Sequence, residues 1–137
     1  MPFDGAGFGD ELRRLARQVV NEVVGGMVLA AGGMALRGVV DKSPVDTGRF
    51  RGNWQVVRNP DAASPVPGID PAGEKTIADG LKELDGLVKA DPMAAVSIVN
   101  PLPYASALEH GHSKQAPRGM VALTAAEVQA AFGSGAL

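Results

Sequence analysis

The chain has 137 residues, of which 45% are hydrophobic, only 4% are aromatic and none is cysteine. This length suits one domain with a mainly aliphatic core, and the lack of cysteine excludes disulfides and thiolate metal sites. The formal net charge is -2, with eight Lys and Arg against six Asp and Glu in residues 1–58, and five against nine in residues 59–137. Neither half has the concentrated basic face of a nucleic-acid-binding domain.

The first part of the chain predicts a flexible arm followed by a long helix. Residues 1–9 are rich in glycine, have no apolar period and do not resemble a secretory signal. Asp10 can cap a helix in which apolar residues recur at steps of three and four. These residues are Leu12, Leu15, Ala16, Val19, Val23, Met27, Ala30 and Met34.

The second half of this helix is apolar on every side, so we expect it to be buried all round. Residues 23–36 form an uncharged run of 14 residues. A membrane-spanning helix needs about 20 such residues. We therefore expect a core helix and no contact with a membrane.

Two glycine pairs lie in this apolar half, and each glycine in a helix costs about 0.5 to 1 kcal/mol relative to alanine. Close approach of another backbone offsets such a cost, whether it belongs to the same domain or to a neighbouring subunit. The alternative is a broken or kinked helix. The apolar surroundings favour a neighbouring subunit. The predicted subunit interface comprises Gly25, Gly26, Met27, Gly32 and Gly33.

A turn then links the helix to a strand. Pro44 disfavours helical geometry in the residue before it. Asp46 and Thr47 can bond to nearby backbone amides, and Gly48 supplies a permissive φ. Apolar residues alternate over residues 50–57, which predicts a half-buried strand with Trp54 directed inward.

The remaining elements are shorter. Residues 59–70 have the composition of a loop, and Asp70 with Pro71 starts a second, amphipathic helix. A strand follows in residues 94–100. Residues 104–109 fit a short helix or an edge strand, and we favour the helix. A polar loop in residues 110–118 and a strand in residues 119–123 come next. The capping-box spacing of Thr124 and Glu127 starts a last helix.

These elements predict an α+β fold, in which a long N-terminal helix packs on a small, mostly antiparallel sheet with one or two further helices. A single domain covers residues 10–132. It lies between the flexible arm of residues 1–9 and a flexible tail of residues 133–137.

No constellation of residues indicates catalysis, so we expect neither an enzyme nor a cofactor. Glu109, His110 and His112 offer three metal ligands within four residues, but their spacing is not that of a zinc helix and no further His or Cys is present. We expect loop histidines and no metal. Asp46 and Thr47 have no histidine near them in sequence, so a turn is sufficient to explain them.

Arg49, Arg51 and Arg58 form a local basic cluster of the sequence. Ordinary surface charge explains it, and a phosphate site is the alternative. A small nucleic-acid-binding or regulatory module that uses this cluster therefore stays open as a second hypothesis.

Two stretches of the sequence resemble a known family. The first is Pro-Val-Asp-Thr-Gly-Arg at residues 44–49, followed by Arg-Gly-Asn-Trp at residues 51–54, and the second lies in residues 104–120. Together they resemble the tail completion, or head–tail joining (neck), proteins of long-tailed bacteriophages. The layout agrees over residues 10–132, and an insert at residues 59–73 departs from it. The motif positions are Pro44, Val45, Asp46, Thr47, Gly48, Arg49, Trp54, Tyr104, Glu109, Gly111 and Pro117.

The resemblance implies a virion structural protein without catalysis, made in the host cytoplasm and located in the neck. It implies a ring, a hexamer, whose partners are further copies of the chain, a head connector or stopper protein and a tail tube or tail terminator protein. DNA is then passing cargo. Because a lumen that carries DNA must not hold phosphates, we expect Asp79, Glu83 and Asp85 to face the lumen or the outer surface.

Overall fold

The computed structural model of the protein describes residues 5–133, with side chains from Gly7 onward. Within these residues lie four helices, α1 (Gly5–Lys42), α2 (Glu74–Ala90), α3 (Ala105–Glu109) and α4 (Val121–Phe132), and two strands, β1 (Gln55–Val57) and β2 (Ser97–Val99). The strands pair antiparallel, with Val56 opposite Ile98. Two 3₁₀ turns, Arg51–Asn53 and Pro60–Ala62, flank β1. The predicted α+β fold is confirmed.

Helix α1 begins earlier than the sequence predicted. Its 38 residues span about 57 Å at 1.5 Å per residue. Residues 5–9 belong to the helix, so the predicted boundary at Asp10 is wrong. The Asp10 carboxylate accepts a hydrogen bond from Arg13 at 2.7 Å instead of capping the helix. Residues 1–4 and 134–137, parts of the predicted arm and tail, lie outside the described residues.

Only the second half of α1 packs into the domain, and not on every side. Leu36 and Val40 are fully buried. Val23, Gly26 and Ala30 are exposed, so the prediction of a helix buried all round is wrong.

By length and composition alone, α1 is also long and apolar enough to cross a membrane. An 18-residue window within Gly7–Lys42 has a mean hydropathy of 1.7, and 28% of that window is buried. The core helix of a folded domain passes the same test. The contacts of the second half of α1 with α2 and α4 show that this part of the helix packs against protein.

The core forms where α1, α2 and the residues around β1 meet. Leu36 of α1 is 0% exposed and Leu84 of α2 is 1% exposed, and burying such a side chain contributes about 1.5–3 kcal/mol. Phe50 and Trp54 pack beside them, edge to face, with ring centroids 5.8 Å apart. The other core residues are Val39, Val40, Val56, Val88, Leu102, Ala116 and Met120.

The glycines of α1 allow α2 to lie close. A Cβ atom on Gly32 would lie 2.8 Å from Cδ2 of Leu84, and one on Gly25 would lie 3.2 Å from Cγ1 of Val88. Gly33 faces Leu81 of α2 at 3.4 Å in the same way. The close approach that offsets the cost of these three glycines therefore comes from the same chain, and α1 is continuous through them.

Gly26 and Met27 differ from those three glycines. A Cβ atom on Gly26 would have no neighbour within 4 Å, and Met27 is only partly buried. A role in a subunit interface stays a prediction for the whole predicted set, but only these two residues lack an explanation inside the domain.

The strand predicted for residues 50–57 is reduced to Gln55–Val57. The amide of Gly52 donates to the carbonyl of Gly48 at 3.0 Å, and residues 51–53 close into a 3₁₀ turn. Trp54, which follows this turn, is 6% exposed. The turn geometry at Gly48 therefore overrides the alternation of apolar residues.

Helix α2 has the predicted amphipathic face, since Leu84 and Val88 are buried and Ile77 and Leu81 are partly buried. It begins at Glu74 rather than at Pro71. On its outer face Asp85 pairs with Lys89 at 2.8 Å, and Asp79 pairs with Lys75.

The strand predicted for residues 119–123 is wrong, because α4 already begins at Val121. Thr124 lies inside this helix and is 2% exposed. Its hydroxyl oxygen accepts from Nζ of Lys42 at 3.1 Å, and the same ammonium pairs with Glu127 at 2.8 Å. Thr124 and Glu127 therefore join α4 to the end of α1 rather than forming a capping box.

Candidate functional site

The two motif stretches meet in space. The backbone amide of Val45 donates to Oε1 of Gln115 at 2.8 Å, and Nε2 of Gln115 donates to the carbonyl of Val45 at 2.9 Å. The two residues are 70 positions apart in sequence. One side-chain amide therefore fastens the loop of residues 110–118 to the turn of residues 44–48.

Glu109 caps α4 from outside the helix. Its Oε1 accepts from the amides of Met120 and Val121, both at 2.8 Å, and its Oε2 accepts from the amide of Ala122 at 3.0 Å. Burial alone would raise the pKa of this carboxyl group, but the three amide donors outweigh burial and hold the pKa below its ordinary value. A carboxylate at a helix N-terminus is also favoured by the helix dipole.

Two glycines make this cap possible. Gly119 has a φ of 77°, and a Cβ atom there would overlap the carbonyl oxygen of Glu109. Gly111 has a φ of 88°, and its Cβ atom would lie 2.7 Å from the carbonyl oxygen of Pro117. The loop of residues 110–118 therefore packs backbone against backbone at both ends.

The turn after α1 is held by a buried serine. The hydroxyl of Ser43 accepts from Nε1 of Trp54 at 2.6 Å and donates to the carbonyl of Val39 at 2.6 Å. Thr47 Oγ1 accepts from the amide of Arg49 at 3.2 Å. Gly48 has a φ of 95°, which favours glycine.

The insert of residues 59–73 is tied to this turn. Oδ1 of Asn53 accepts from the amide of Val66 at 2.9 Å, and the amide of Asp70 donates to the carbonyl of Gly48 at 3.0 Å. Asp70 then accepts from both the amide and the hydroxyl of Thr76, at 2.7 and 2.6 Å. Burial would raise the pKa of Asp70, but these hydrogen bonds outweigh it and lower the pKa.

Two of the three arginines of the basic cluster donate to backbone carbonyls of the same chain. The guanidinium of Arg51 donates to the carbonyls of Ser43 at 2.7 Å and Pro71 at 2.9 Å. That of Arg58 donates to the carbonyls of Asp91 and Ala94 at 2.8 and 2.7 Å, and also to the carbonyl of Leu87. Arg58 therefore binds the C-terminal end of α2, where a cation complements the helix dipole.

The histidine pair forms no evident metal site. Nδ1 of His110 lies 2.7 Å from the carbonyl oxygen of Ser106, and Glu109 is engaged by the three amides of α4. No group of three His, Asp or Glu side chains in the described part of the chain is arranged to hold a metal ion.

Among the described residues, two exposed apolar surfaces lie outside the two motif stretches. The first, the α1 ridge, is a stripe of exposed side chains on the part of α1 that precedes the core. Val19 is 57% exposed, and the helical period of the stripe was the available signal. The α1 ridge consists of Leu12, Leu15, Val19, Val20 and Val23.

The second surface is a cavity of about 480 Å³, the apolar groove, between α1, α4 and the segment before β2. Its walls carry no charged side chain, and Met93 on its rim is 61% exposed. Sequence reasoning missed it because it joins three separate segments. The apolar groove is lined chiefly by Val24, Val28, Ala31, Met93, Val96 and Val128.

Comparison with known proteins adds the family. No curated protein and no solved structure matches the chain. A family model described as "Bacteriophage HK97-gp10, putative tail-component" matches residues 6–111. The match includes α1, the turn of residues 44–48, β1, α2, β2 and α3, and ends before Gln115. Since it covers well over half of the 137 residues, the chain belongs to the HK97-gp10-like family of bacteriophage tail components.

Proposed function

We propose that this tail component acts at the head–tail junction, as a tail completion or neck protein. Copies of the chain form a ring, a hexamer, that joins the head connector to the tail tube and lets DNA pass. The protein performs no catalysis in this role. The observation that carries the proposal is the α1 ridge, an exposed apolar helix face on a member of a family of tail components.

The α1 ridge supports an assembly role because a folded domain seldom leaves a contiguous apolar stripe in water. Leu12, Leu15 and Val23 are 50%, 44% and 56% exposed, respectively. These residues belong to α1, but the buried core of the domain does not include them. A surface of this kind is typical of an interface with another protein.

The outer face of α2 is compatible with a channel for DNA. Asp79 and Glu83 are exposed there and Asp85 is partly exposed. Carboxylates on a lumen wall repel phosphates, so that DNA moves without binding. We therefore keep these residues on the lumen or on the outer surface of the proposed ring.

The geometry gives no support to a nucleic-acid-binding module built on the basic cluster. Arg51 and Arg58 hold backbone carbonyls of the same chain. A phosphate would have to replace those contacts, and Arg49 alone would remain as an exposed arginine of the cluster. A lone surface arginine is a weak phosphate site.

The experiment is a mass measurement by light scattering, on the protein alone and mixed with the head connector or the tail tube protein of the same phage. We expect a complex with at least one of them that contains several copies of the chain. A protein that stays monomeric and joins neither partner would contradict the proposal.

A further inference from the structure

We propose that the α1 ridge of one copy docks into the apolar groove of the next copy, and that this repeated head-to-tail contact closes the ring. The inference rests on the proposed function, because it names the surfaces by which the copies meet. Each copy carries one ridge and one groove. A closed ring in which every ridge finds a groove leaves neither surface in water.

The α1 ridge places its apolar side chains on one side of the helix and the charged side chains elsewhere. Leu12, Leu15, Val19 and Val23 follow one another at steps of three and four, so they lie on one side of α1. Arg13, Arg14 and Arg17 lie outside this stripe and are exposed. An amphipathic helix that places such a stripe in a hydrophobic groove is a common mode of protein recognition.

The apolar groove has the matching chemistry. Its lining is aliphatic and includes Val28 and Ala31 of α1, Val96 before β2 and Val128 of α4. The cavity of about 480 Å³ has room for several aliphatic side chains. No charged residue lines it, so a docking apolar stripe would leave no charge buried without a partner.

A single copy cannot satisfy both surfaces by itself. Ridge and groove use consecutive parts of the same unbroken helix, Gly5–Lys42. Val19 and Ala31 are twelve residues apart, which is about 18 Å along the axis. The ridge therefore cannot fold back onto its own groove without breaking α1, and only a second molecule can bring them together.

Two other occupants fit less well. A symmetric dimer that pairs ridge with ridge would leave both apolar grooves open to water. A membrane would cover the ridge but also leave the groove open, and the same stretch of α1 carries Asp10, Glu11 and Glu22 in addition to its arginines. A second copy in head-to-tail contact is the arrangement that covers both surfaces.

The short length of the ridge predicts that two isolated copies of the chain associate weakly. From Leu12 to Val23 the ridge is about 18 Å long. A contact of this length buries less surface than the roughly 1,200–2,000 Å² that a stable protein interface buries. Free protein is therefore expected to be mainly monomeric at low concentration. In a ring each copy makes the contact twice, and binding to a neighbouring ring of the junction adds to it.

Disulfide trapping tests the contact directly, since the chain has no cysteine of its own. Val19→Cys places a thiol on the ridge, and Met93→Cys places one on the rim of the groove. Lys82→Cys, exposed on the outer face of α2, is the control. Each substitution lies at a surface position. The two variants are prepared with different masses, so that a crosslink between two different variants can be told from one between two copies of the same variant.

We expect the Val19→Cys and Met93→Cys copies to crosslink at least about tenfold faster than the Val19→Cys and Lys82→Cys copies, because docking raises the local thiol concentration. Equal rates would overturn the proposal. Dominant crosslinks between two Val19→Cys copies would overturn it in favour of a ridge-to-ridge dimer.

A second pair of variants separates this inference from the proposed function. Val19→Asp places a charge on the ridge, and Asn21→Asp places the same charge on the opposite side of α1. We expect the first to abolish rings in the presence of the head connector or tail tube protein and the second to keep them. Rings that survive Val19→Asp overturn the ridge-to-groove contact and leave the proposed function standing.

Flotation with phosphatidylcholine vesicles tests the lipid alternative. We expect the protein to stay in the soluble fraction. Wild-type protein that floats, while Val19→Asp does not, would assign the ridge to lipid and overturn the proposal. Failure of the wild type to join either partner, by contrast, is a failure of the proposed function itself.

Discussion

Gln115 and Val45 form a two-point contact, in which one side-chain amide accepts from the backbone amide of Val45 at 2.8 Å and donates to its carbonyl at 2.9 Å. The contact joins the turn after α1 to the loop before α4. Both stretches supplied the resemblance to neck proteins. Their residues build one scaffold, which positions α1 and α4 around the apolar groove.

Replacing Gln115 with alanine removes both hydrogen bonds. We expect a loss of about 1 kcal/mol in the free energy of unfolding, since the pair is exposed and a typical hydrogen bond contributes about 0.5–1.5 kcal/mol net. Urea unfolding followed by Trp54 fluorescence measures it. Lys114→Ala, at the neighbouring exposed position, is the control with no expected change. An unchanged unfolding midpoint in the Gln115 variant would show that the contact does not stabilise the fold.

Glu109 should make stability depend on pH. Its folded-state pKa lies below the ordinary value of 4.5, so its stabilisation is fully present above that value and is lost as pH falls through the lower folded-state pKa. Glu109→Gln should therefore cost about 0.5–2 kcal/mol at pH 7, as loss of a helix cap does, and progressively less in acid.

The measurement is the difference in unfolding free energy between wild type and Glu109→Gln from pH 7 to pH 3. Glu83→Gln, on the exposed face of α2, controls for the change of charge. Asp70 keeps some acid dependence in every variant, because its pKa is lowered too. A wild-type advantage that stays constant across this range would contradict the role assigned to the Glu109 carboxylate.

The α1 glycines should differ in their tolerance of alanine. Gly26→Ala meets no neighbour within 4 Å, so we expect stabilisation by about 0.5–1 kcal/mol from helix propensity alone. Gly32→Ala would place Cβ 2.8 Å from Leu84, so we expect destabilisation by about 1–3 kcal/mol, as overpacking causes. Thermal unfolding of both variants gives the comparison, and a stabilising Gly32→Ala would refute the close contact of α1 and α2.

Gly26→Ala also serves as an assembly test. If Gly26 lies at a subunit interface, the stabilised variant should form rings less well than wild type when mixed with the partner proteins. Normal rings would show that Gly26 lies outside any close contact between subunits.

Gly48 should not accept a side chain. Its φ is 95°, and a Cβ atom would lie 2.5 Å from the backbone nitrogen of Pro71. We expect Gly48→Ala to cost more than the roughly 1–2 kcal/mol of left-handed geometry alone. Gly68→Ala has a similar φ of 99° and open space around Cβ, so the gap between the two variants isolates the clash. Equal losses in stability would mean that the insert can move away from the turn.

The sequence predicted those parts of the fold that depend on local pattern. The apolar period identified α1 and the buried face of α2, and β-branched residues identified β2. The parts that it missed depend on distant residues. Helix α4 starts at Val121, where Glu109 accepts from its first amides, and Thr124 is buried against α1, where Lys42 donates to its hydroxyl oxygen. No local window of sequence contains either pair.

The same distinction applies to the candidate site. The sequence revealed the helical stripe of the ridge but not its exposure, which depends on where α2 ends along α1. The glycines Gly25 and Gly32 suggested a neighbouring subunit, yet Val88 and Leu84 of the same chain occupy that space. The apolar groove needs residues from α1, α4 and the segment before β2, and only the folded chain brings these together.

Electron cryomicroscopy of the intact virion neck would show directly whether copies of the chain meet ridge to groove. We expect a closed ring of this chain between the head connector and the tail tube, with Val19 of each copy against the groove residues of the next. The chain found elsewhere in the tail, or present as a single copy at the junction, would contradict it.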